Sequence, residues 1–180
     1  MSSQAIQTRY KGYHFRSRLE ARWAVFYDNW NFYNGHAWWD YEPEGVEFKG
    51  IRYLPDFLYH TPSWRIIIEI KPLQLEMDGD TYERVVREAF NKLIIAAQYF
   101  DARFAFLHEG IPGEHYSHRI DMTEFSDYTL EEILTLPNDF YLIERFIWKS
   151  KYSYGVDADD AKAVNAARSA RFEHGECGRT

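Results

Sequence analysis

The chain has 180 residues, of which 27% are charged, and a formal net charge of −7 at pH 7. This length suits one domain with a full hydrophobic core, and the acidic balance argues against a protein that merely coats nucleic acid. The single cysteine, Cys177, excludes an internal disulfide and favours a reducing compartment. We expect a cytoplasmic protein, because no signal peptide and no membrane-spanning apolar run are recognisable.

The N-terminal segment, residues 1–19, is basic although the chain as a whole is acidic. It contains no acid, and aromatic residues lie between its cations, which are Arg9, Lys11, Arg16 and Arg18. Such a stretch is typical of a solvated tail, and it is equally compatible with contacts to backbone phosphates. Both interpretations stay open on this observation alone.

A first helix is predicted from about Ser17 to Trp30. The tetrapeptide SRLE that starts at Ser17 has the form of a capping box, and apolar residues then recur at helical spacing. Asp28 falls on the polar face, whereas Glu20 falls at the edge of the apolar stripe. Glu20 therefore either completes the capping box or faces an interior site.

The remaining strands and helices are predicted from the spacing of apolar residues, as the first helix is. Extended segments are predicted over Trp38–Phe48, Arg52–Tyr59, Trp64–Lys71 and Arg103–His108. Further helices are predicted to begin near Gly79, Thr129, Asp139 and Asp157, the last as an exposed, alanine-rich helix that runs to Phe172. Because strand, helix and strand follow one another between residues 64 and 108, we expect a parallel strand pair and an α/β domain with a mixed sheet.

Charged residues interrupt two neighbouring predicted strands. Asp56 lies in the first, and Glu69 and Lys71 interrupt an isoleucine run in the second. Because side chains alternate between strand faces, a turn over residues 61–64 places Asp56 beside Glu69, with Lys71 one step along. Two buried carboxylates repel each other unless a cation lies between them, and Mg²⁺ prefers such oxygen ligands. The alternative is an edge hairpin whose charged face meets solvent.

These residues resemble the PD-(D/E)XK nuclease superfamily. Pro55-Asp56 matches its first element, and the E-I-K run from Glu69 matches its second. Upstream, F-R-S-x-L-E from Phe15 and Y-E from Tyr41 extend the likeness to the phage endonuclease I group of junction-cleaving enzymes and, more distantly, to transposon end-cleaving endonucleases. The resemblance covers roughly residues 10–72 and reaches the strand that ends near His108.

The resemblance implies a restriction-endonuclease-like core and a magnesium-dependent endodeoxyribonuclease that leaves 5′-phosphates, with Mn²⁺ able to replace Mg²⁺. The catalytic residues that it implies are Glu20, Asp56, Glu69 and Lys71. The metal ligands that it implies are Asp56, Glu69, Glu20 and the backbone carbonyl of Ile70. Lys71 would assist the attacking water, and the cations Arg9, Lys11, Arg16 and Arg18 would then hold DNA phosphates.

The implied organisation has three parts. Residues 1–115 form the nuclease core, 116–155 a helical extension packed on it, and 156–180 an alanine-rich helix and tail. We expect a phage- or mobile-element-encoded enzyme that acts on DNA, not on membranes, and in the host cytoplasm if it is phage-encoded. A homodimer is expected by analogy, because cutting both strands of a duplex often uses two active sites.

Two alternatives stay open. One is a non-catalytic DNA- or protein-binding protein of the phage inhibitor type on the same fold. The intact Asp56, Glu69 and Lys71 argue against it, because binding alone requires no metal site. The other is an RNA-cleaving enzyme of the same fold. The acidic net charge and the absence of a lysine-rich C-terminus depart from the junction-cleaving group, so a preference for junctions is not implied.

Overall fold

The computed structural model describes residues 6–30, 36–72, 78–135, 147–151 and 158–172. Ten strands are labelled β1 (Thr8–Tyr10), β2 (Tyr13–Phe15), β3 (Trp38–Tyr41), β4 (Val46–Phe48), β5 (Ile51–Tyr53), β6 (Phe57–His60), β7 (Arg65–Lys71), β8 (Phe104–Ile111), β9 (Glu114–Asp121) and β10 (Ile147–Lys151). The helices are α1 (Arg18–Asn29), α2 (Gly79–Tyr99), α3 (Leu130–Thr135) and α4 (Ala158–Ser169), with a 3₁₀ turn at Met122–Phe125.

A mixed sheet of six strands, in the order β10-β9-β8-β7-β6-β3, forms the centre of the molecule. Strands β7 and β8 are parallel and joined through α2, and the other neighbours are antiparallel. Helix α2 packs on one face of the sheet, and α1 packs on the other. The predicted α/β class, the mixed sheet and the parallel pair are therefore confirmed. None of the helices in the described ranges is long and apolar enough to span a bilayer.

Helix α1 begins where the capping pattern predicts. Ser17 is the N-cap in an extended conformation, and its hydroxyl oxygen accepts a hydrogen bond from the Glu20 backbone N–H at 3.1 Å. The buried face of the helix is strongly aromatic, since Trp23 and Phe26 are fully buried against the sheet. This packing fixes the start of the helix, and with it Glu20, at the end of the sheet where β7 finishes.

The hairpin of β6 and β7 has the predicted register. His60 pairs with Arg65 and Leu58 pairs with Ile67. The Thr61 backbone N–H donates to the Trp64 carbonyl at 2.9 Å, which closes the turn between the strands. The alternation then places Glu69 and Lys71 on the same side as Ile67, which is the side that α2 covers.

The segment predicted as one strand over residues 52–59 is instead two. Strand β5 pairs with β4 in a separate hairpin, and β6 starts only at Phe57. Pro55 lies in the break, because proline lacks the N–H that a sheet ladder uses. Asp56 therefore lies immediately before β6 instead of within a strand.

The predicted helical extension over residues 116–155 is wrong for two segments. Strand β9 covers Glu114–Asp121 and pairs with β8, and Ile147–Lys151 is a strand that pairs with β9 instead of the end of a helix. Buried polar residues such as Ser117 and His118 hide the usual strand alternation, and pairing overrides local helical periodicity. Residues 139–146 of the predicted helix lie outside the described residues. Strand β8 also continues past His108, its predicted end, to Ile111.

The C-terminal helix α4 is packed, whereas the sequence predicted an exposed helix. Ala163 and Ala167 are completely buried against α1, in the aromatic side of the core. The small alanine side chains conceal this contact in the sequence, because they let the two helices approach closely without forming an apolar stripe. Gly113, in the β8–β9 turn, lies directly under Val164, and a Cβ atom at Gly113 would be 2.5 Å from it.

We predict that Ala163→Leu destabilises the protein while Ala161→Leu does not. Ala163 has no exposed surface, whereas Ala161 is exposed on the same helix. The two substitutions add the same side chain, and only the one at Ala163 must fit into a packed interior. Overpacking a filled site costs about 1–3 kcal/mol, which lowers Tm by roughly 2–10 °C in a chain of this size. Thermal denaturation followed by circular dichroism measures both variants. Equal melting temperatures would contradict the packed helix.

Candidate active site

The acidic residues singled out in the sequence meet in one open cleft of ≈ 950 Å³. The start of α1, the end of β7 and the middle of α2 form its walls. Its lining includes Glu20, Asp56, Glu69 and Lys71, together with Ile70. The structure thus brings all four predicted catalytic residues to the same place, although they lie in three separate segments of the chain.

Asp56 is almost completely buried at the floor of this cleft, with 3% of its surface exposed. Its Oδ2 accepts a hydrogen bond from the Ile70 backbone N–H at 2.7 Å, and its Oδ1 is paired with the Arg16 guanidinium. Burial and the charges of Glu69 and Glu20 raise the pKa of Asp56 well above its usual range, against the opposing effects of Ile70 and Arg16. The ionised form of Asp56 is therefore disfavoured in this site unless a further cation approaches it.

Glu69 is the second buried carboxylate. The Tyr53 hydroxyl donates to its Oε2 at 2.7 Å, and Lys71 is paired with its Oε1. Burial and the charges of Glu69 and Asp56 raise the pKa of Tyr53, so this hydroxyl keeps its proton and continues to donate. Tyr53 thus fixes the direction of the Glu69 carboxylate, while the partly exposed Lys71 reaches the cleft from the same strand.

Glu20 belongs both to the helix start and to the cleft. Its Oε1 accepts from the Ser17 hydroxyl at 2.8 Å, and its Oε2 accepts from the Tyr41 hydroxyl at 2.6 Å and from the Arg16 backbone N–H at 3.2 Å. The capping interaction and the site position are therefore compatible. Burial and the Glu20 carboxylate raise the pKa of Tyr41, which keeps that hydroxyl a donor.

The four N-terminal cations divide into two groups. Arg16 and Arg18 line the cleft. Lys11 instead contacts Asp28 on α1 at 3.0 Å, and Arg9 is exposed on β1. Residues 1–19 contain no acid, whereas folding brings Asp28 to Lys11 and acids from other segments to Arg16. Arg16 and Arg18 are therefore the two placed to meet a ligand in the cleft.

Several residues of the site carried no predicted role. Tyr41 and Tyr53 each orient one acid, and a buried tyrosine that needs a hydrogen-bond partner is the signal that would have pointed to them. Arg52 and Lys92 add cations to the lining. Lys92 comes from α2, and nothing in the sequence links that helix face to the acids.

The donor set fits a divalent cation with few protein ligands. Asp56 and Glu69 offer buried carboxylate oxygens, which are ligands that Mg²⁺ prefers, and Mg²⁺ commonly keeps several waters. Within the described ranges, no group of three or more His, Cys, Asp and Glu side chains is arranged to hold a metal ion. The set is therefore too sparse for a closed structural metal site. It suits an open site that a bound phosphate and water would complete.

Comparisons with known proteins leave the family open. No family model matches the chain, and no curated protein matches it. One solved structure, the crystal structure of SSO0001, aligns with a TM-score of 0.35 and 17% sequence identity over 59% of this chain. The alignment spans about half of that protein, 51% of its length. A TM-score of this size carries no argument about function, so the nuclease family stays a resemblance.

We predict that Asp56→Asn alters how stability depends on pH in metal-free buffer. The folded state raises the pKa of Asp56 from its usual 3.8, so its favourable contribution is present at low pH and is lost as pH rises towards that raised pKa. Asparagine does not ionise. We therefore expect the variant to be at least as stable as wild type at about pH 7.5, with a smaller advantage at about pH 4.5.

Thermal denaturation in chelator at both pH values measures this effect. Asp101→Asn is the matched control, because Asp101 is exposed at the opposite end of β8. A variant that is less stable than wild type by the same amount at both pH values would contradict the prediction, since it would show that the Arg16 ion pair outweighs the repulsion from Glu69.

Proposed function

We propose that the protein is a metal-dependent endodeoxyribonuclease with the PD-(D/E)XK fold, which hydrolyses phosphodiester bonds to leave 5′-phosphates. The observation that supports it most is the pair Asp56 and Glu69, buried beside each other at the floor of an open cleft. Burying two carboxylates that repel each other costs folding free energy, so their position at the floor of an open cleft calls for a functional explanation. Binding a cation together with a phosphate is such a reason.

The two carboxylates are the proposed metal ligands, with the Ile70 backbone carbonyl as a third. A Mg²⁺ ion bound there would stabilise charge on the phosphate and favour ionisation of the attacking water. Tyr53 holds one oxygen of Glu69, and the Ile70 N–H holds one oxygen of Asp56, so the protein fixes both carboxylates before any ligand arrives. This preorganisation is what electrostatic catalysis requires.

Lys71 and Glu20 have supporting roles in this proposal. Lys71 is paired with Glu69 and partly exposed, so its ammonium group can position water or offset negative charge on the phosphate. Glu20 accepts hydrogen bonds from Ser17, Tyr41 and Arg16, which leaves it less free to approach a ligand. We therefore assign Glu20 an auxiliary role and expect it to matter less than Asp56.

The proposed substrate is DNA, bound through its phosphates. Arg16 and Arg18 at the start of α1 and Arg52 in β5 bring cations to the mouth of the cleft. Such contacts hold the backbone without reading bases, and they make affinity fall as salt rises. The same contacts would accept an RNA backbone. Assays with both nucleic acids decide between them.

One observation favours a non-catalytic binding protein on the same fold. Asp56 is paired with Arg16 and Glu69 with Lys71, so each acid already has an internal cation. In a protein that needs no metal, the protein's own cations would neutralise the buried acids in this way. Cleavage and binding measured on the same preparation separate this candidate from the nuclease.

We predict that wild type cleaves DNA only with Mg²⁺ or Mn²⁺ and that Asp56→Asn abolishes cleavage. Losing a metal ligand removes several kcal/mol of transition-state stabilisation, which corresponds to a fall of about a thousandfold. The assay offers linear, nicked, single-stranded and four-way-junction DNA and a single-stranded RNA, with metal and with chelator. The products are tested for 5′-phosphates by ligation.

Asp101→Asn, purified identically, is the control and should cleave as wild type does. Equal activity in wild type and Asp56→Asn would point to a contaminating nuclease or a different site, and the proposal would fail. Binding of DNA without any cleavage by wild type would instead favour the non-catalytic candidate.

A further inference from the structure

Arg16 places one guanidinium against carboxylates from three segments of the chain. Its Nη2 is paired with Asp56 Oδ1, and its Nε lies 2.7 Å from Glu42 Oε1 and 3.8 Å from Glu20 Oε2. Arginine stays protonated at any ordinary pH, so Arg16 is a permanent cation beside these three acids.

The contact with Asp56 affects the oxygen that a metal ion would need. Asp56 Oδ2 already accepts the Ile70 backbone N–H at 2.7 Å, and Oδ1 is the atom paired with Arg16. Two positive charges on one buried oxygen repel each other strongly, because the surroundings screen them poorly. A divalent cation at this carboxylate would therefore compete with the Arg16 guanidinium for Asp56 Oδ1.

The Arg16 side chain is able to leave without disturbing the fold. Its backbone N–H is held by the Tyr41 hydroxyl at 3.0 Å and by Glu20, so the main chain stays anchored. The side chain itself is 52% exposed and lines the cleft. A guanidinium is well suited to bind a phosphate through two hydrogen bonds, which gives Arg16 a second partner of the right chemistry.

We propose that Arg16 neutralises Asp56 in the metal-free protein and transfers to a substrate phosphate when a divalent cation binds. This inference rests on the proposed function, since it takes Asp56 as a metal ligand. In this proposal Arg16 is a positioning residue that couples binding of the divalent cation to binding of the substrate phosphate. A phosphate that draws Arg16 away exposes Asp56 to metal, and by thermodynamic reciprocity metal then strengthens phosphate binding.

The experiment is calorimetric titration of the DNA-free protein with Mg²⁺ alone. Arg16→Met keeps a flexible apolar stem but is shorter than arginine and carries no charge, so Mg²⁺ should bind about tenfold more tightly than to wild type. Arg18→Met is the matched control. It removes the same charge from the same cleft, and Arg18 forms no ion pair with an acid within residues 6–30, 36–72, 78–135, 147–151 and 158–172. We expect it to change Mg²⁺ affinity little.

Asp56→Asn separates failure of this inference from failure of the proposed function. If Asp56→Asn binds Mg²⁺ as tightly as wild type, the metal site itself is wrong and both proposals fail. If Asp56→Asn loses binding but Arg16→Met binds no more tightly than Arg18→Met, the competition is refuted and the nuclease proposal stands. Tighter binding by Arg16→Met alone supports the inference.

A second readout uses wild type and does not depend on the variant folding. The Nε–H signal of Arg16 in a nuclear magnetic resonance spectrum reports its contact with Glu42, 2.7 Å away. It should shift when Mg²⁺ is added and shift further with an uncleavable phosphorothioate oligonucleotide. A signal that stays unchanged while Mg²⁺ binds would overturn the inference.

Discussion

Repulsion between two buried carboxylates is the constraint on which the rest of the site depends. Asp56 and Glu69 lie beside each other on the side of the sheet that α2 covers, where water screens them poorly. Every neighbouring polar contact reduces that cost. Arg16 and Lys71 supply positive charge, and Tyr53 and the Ile70 N–H supply hydrogen bonds. These contacts offset only part of the cost of burying the two acids, and the remainder is the basis of the proposed metal affinity.

The fold holds this arrangement in place from both faces of the sheet. The aromatic face of α1 fixes the position of Glu20 and of the Arg16 backbone, and α4 covers α1 from outside through its buried alanines. On the other face, α2 joins the parallel strands β7 and β8 and closes the cleft with its middle turns. The catalytic candidates therefore come from rigid elements or their ends, whereas the Arg16 side chain that pairs with Asp56 is half exposed.

Much of the site was predictable because it follows from short-range rules. The strand period and one turn length were enough to place Asp56 beside Glu69, and the capping box located the start of α1. The rest depends on distant contacts that local patterns do not encode. Nothing in the sequence linked Arg16 to Asp56, 40 positions along the chain. Strand β9 gives no clear strand pattern because its buried residues include Ser117 and His118, and the burial of α4 is hidden because alanine carries almost no periodic signal.

The most direct test of the metal site proposed between Asp56 and Glu69 is a crystal structure of the protein grown with Mn²⁺, with anomalous scattering measured at the manganese edge. We predict one strong anomalous peak within about 2.0–2.3 Å of oxygens from both Asp56 and Glu69, with Arg16 withdrawn from Asp56. A peak that contacts neither carboxylate, or a cleft with no manganese while Arg16 still pairs with Asp56, would contradict it.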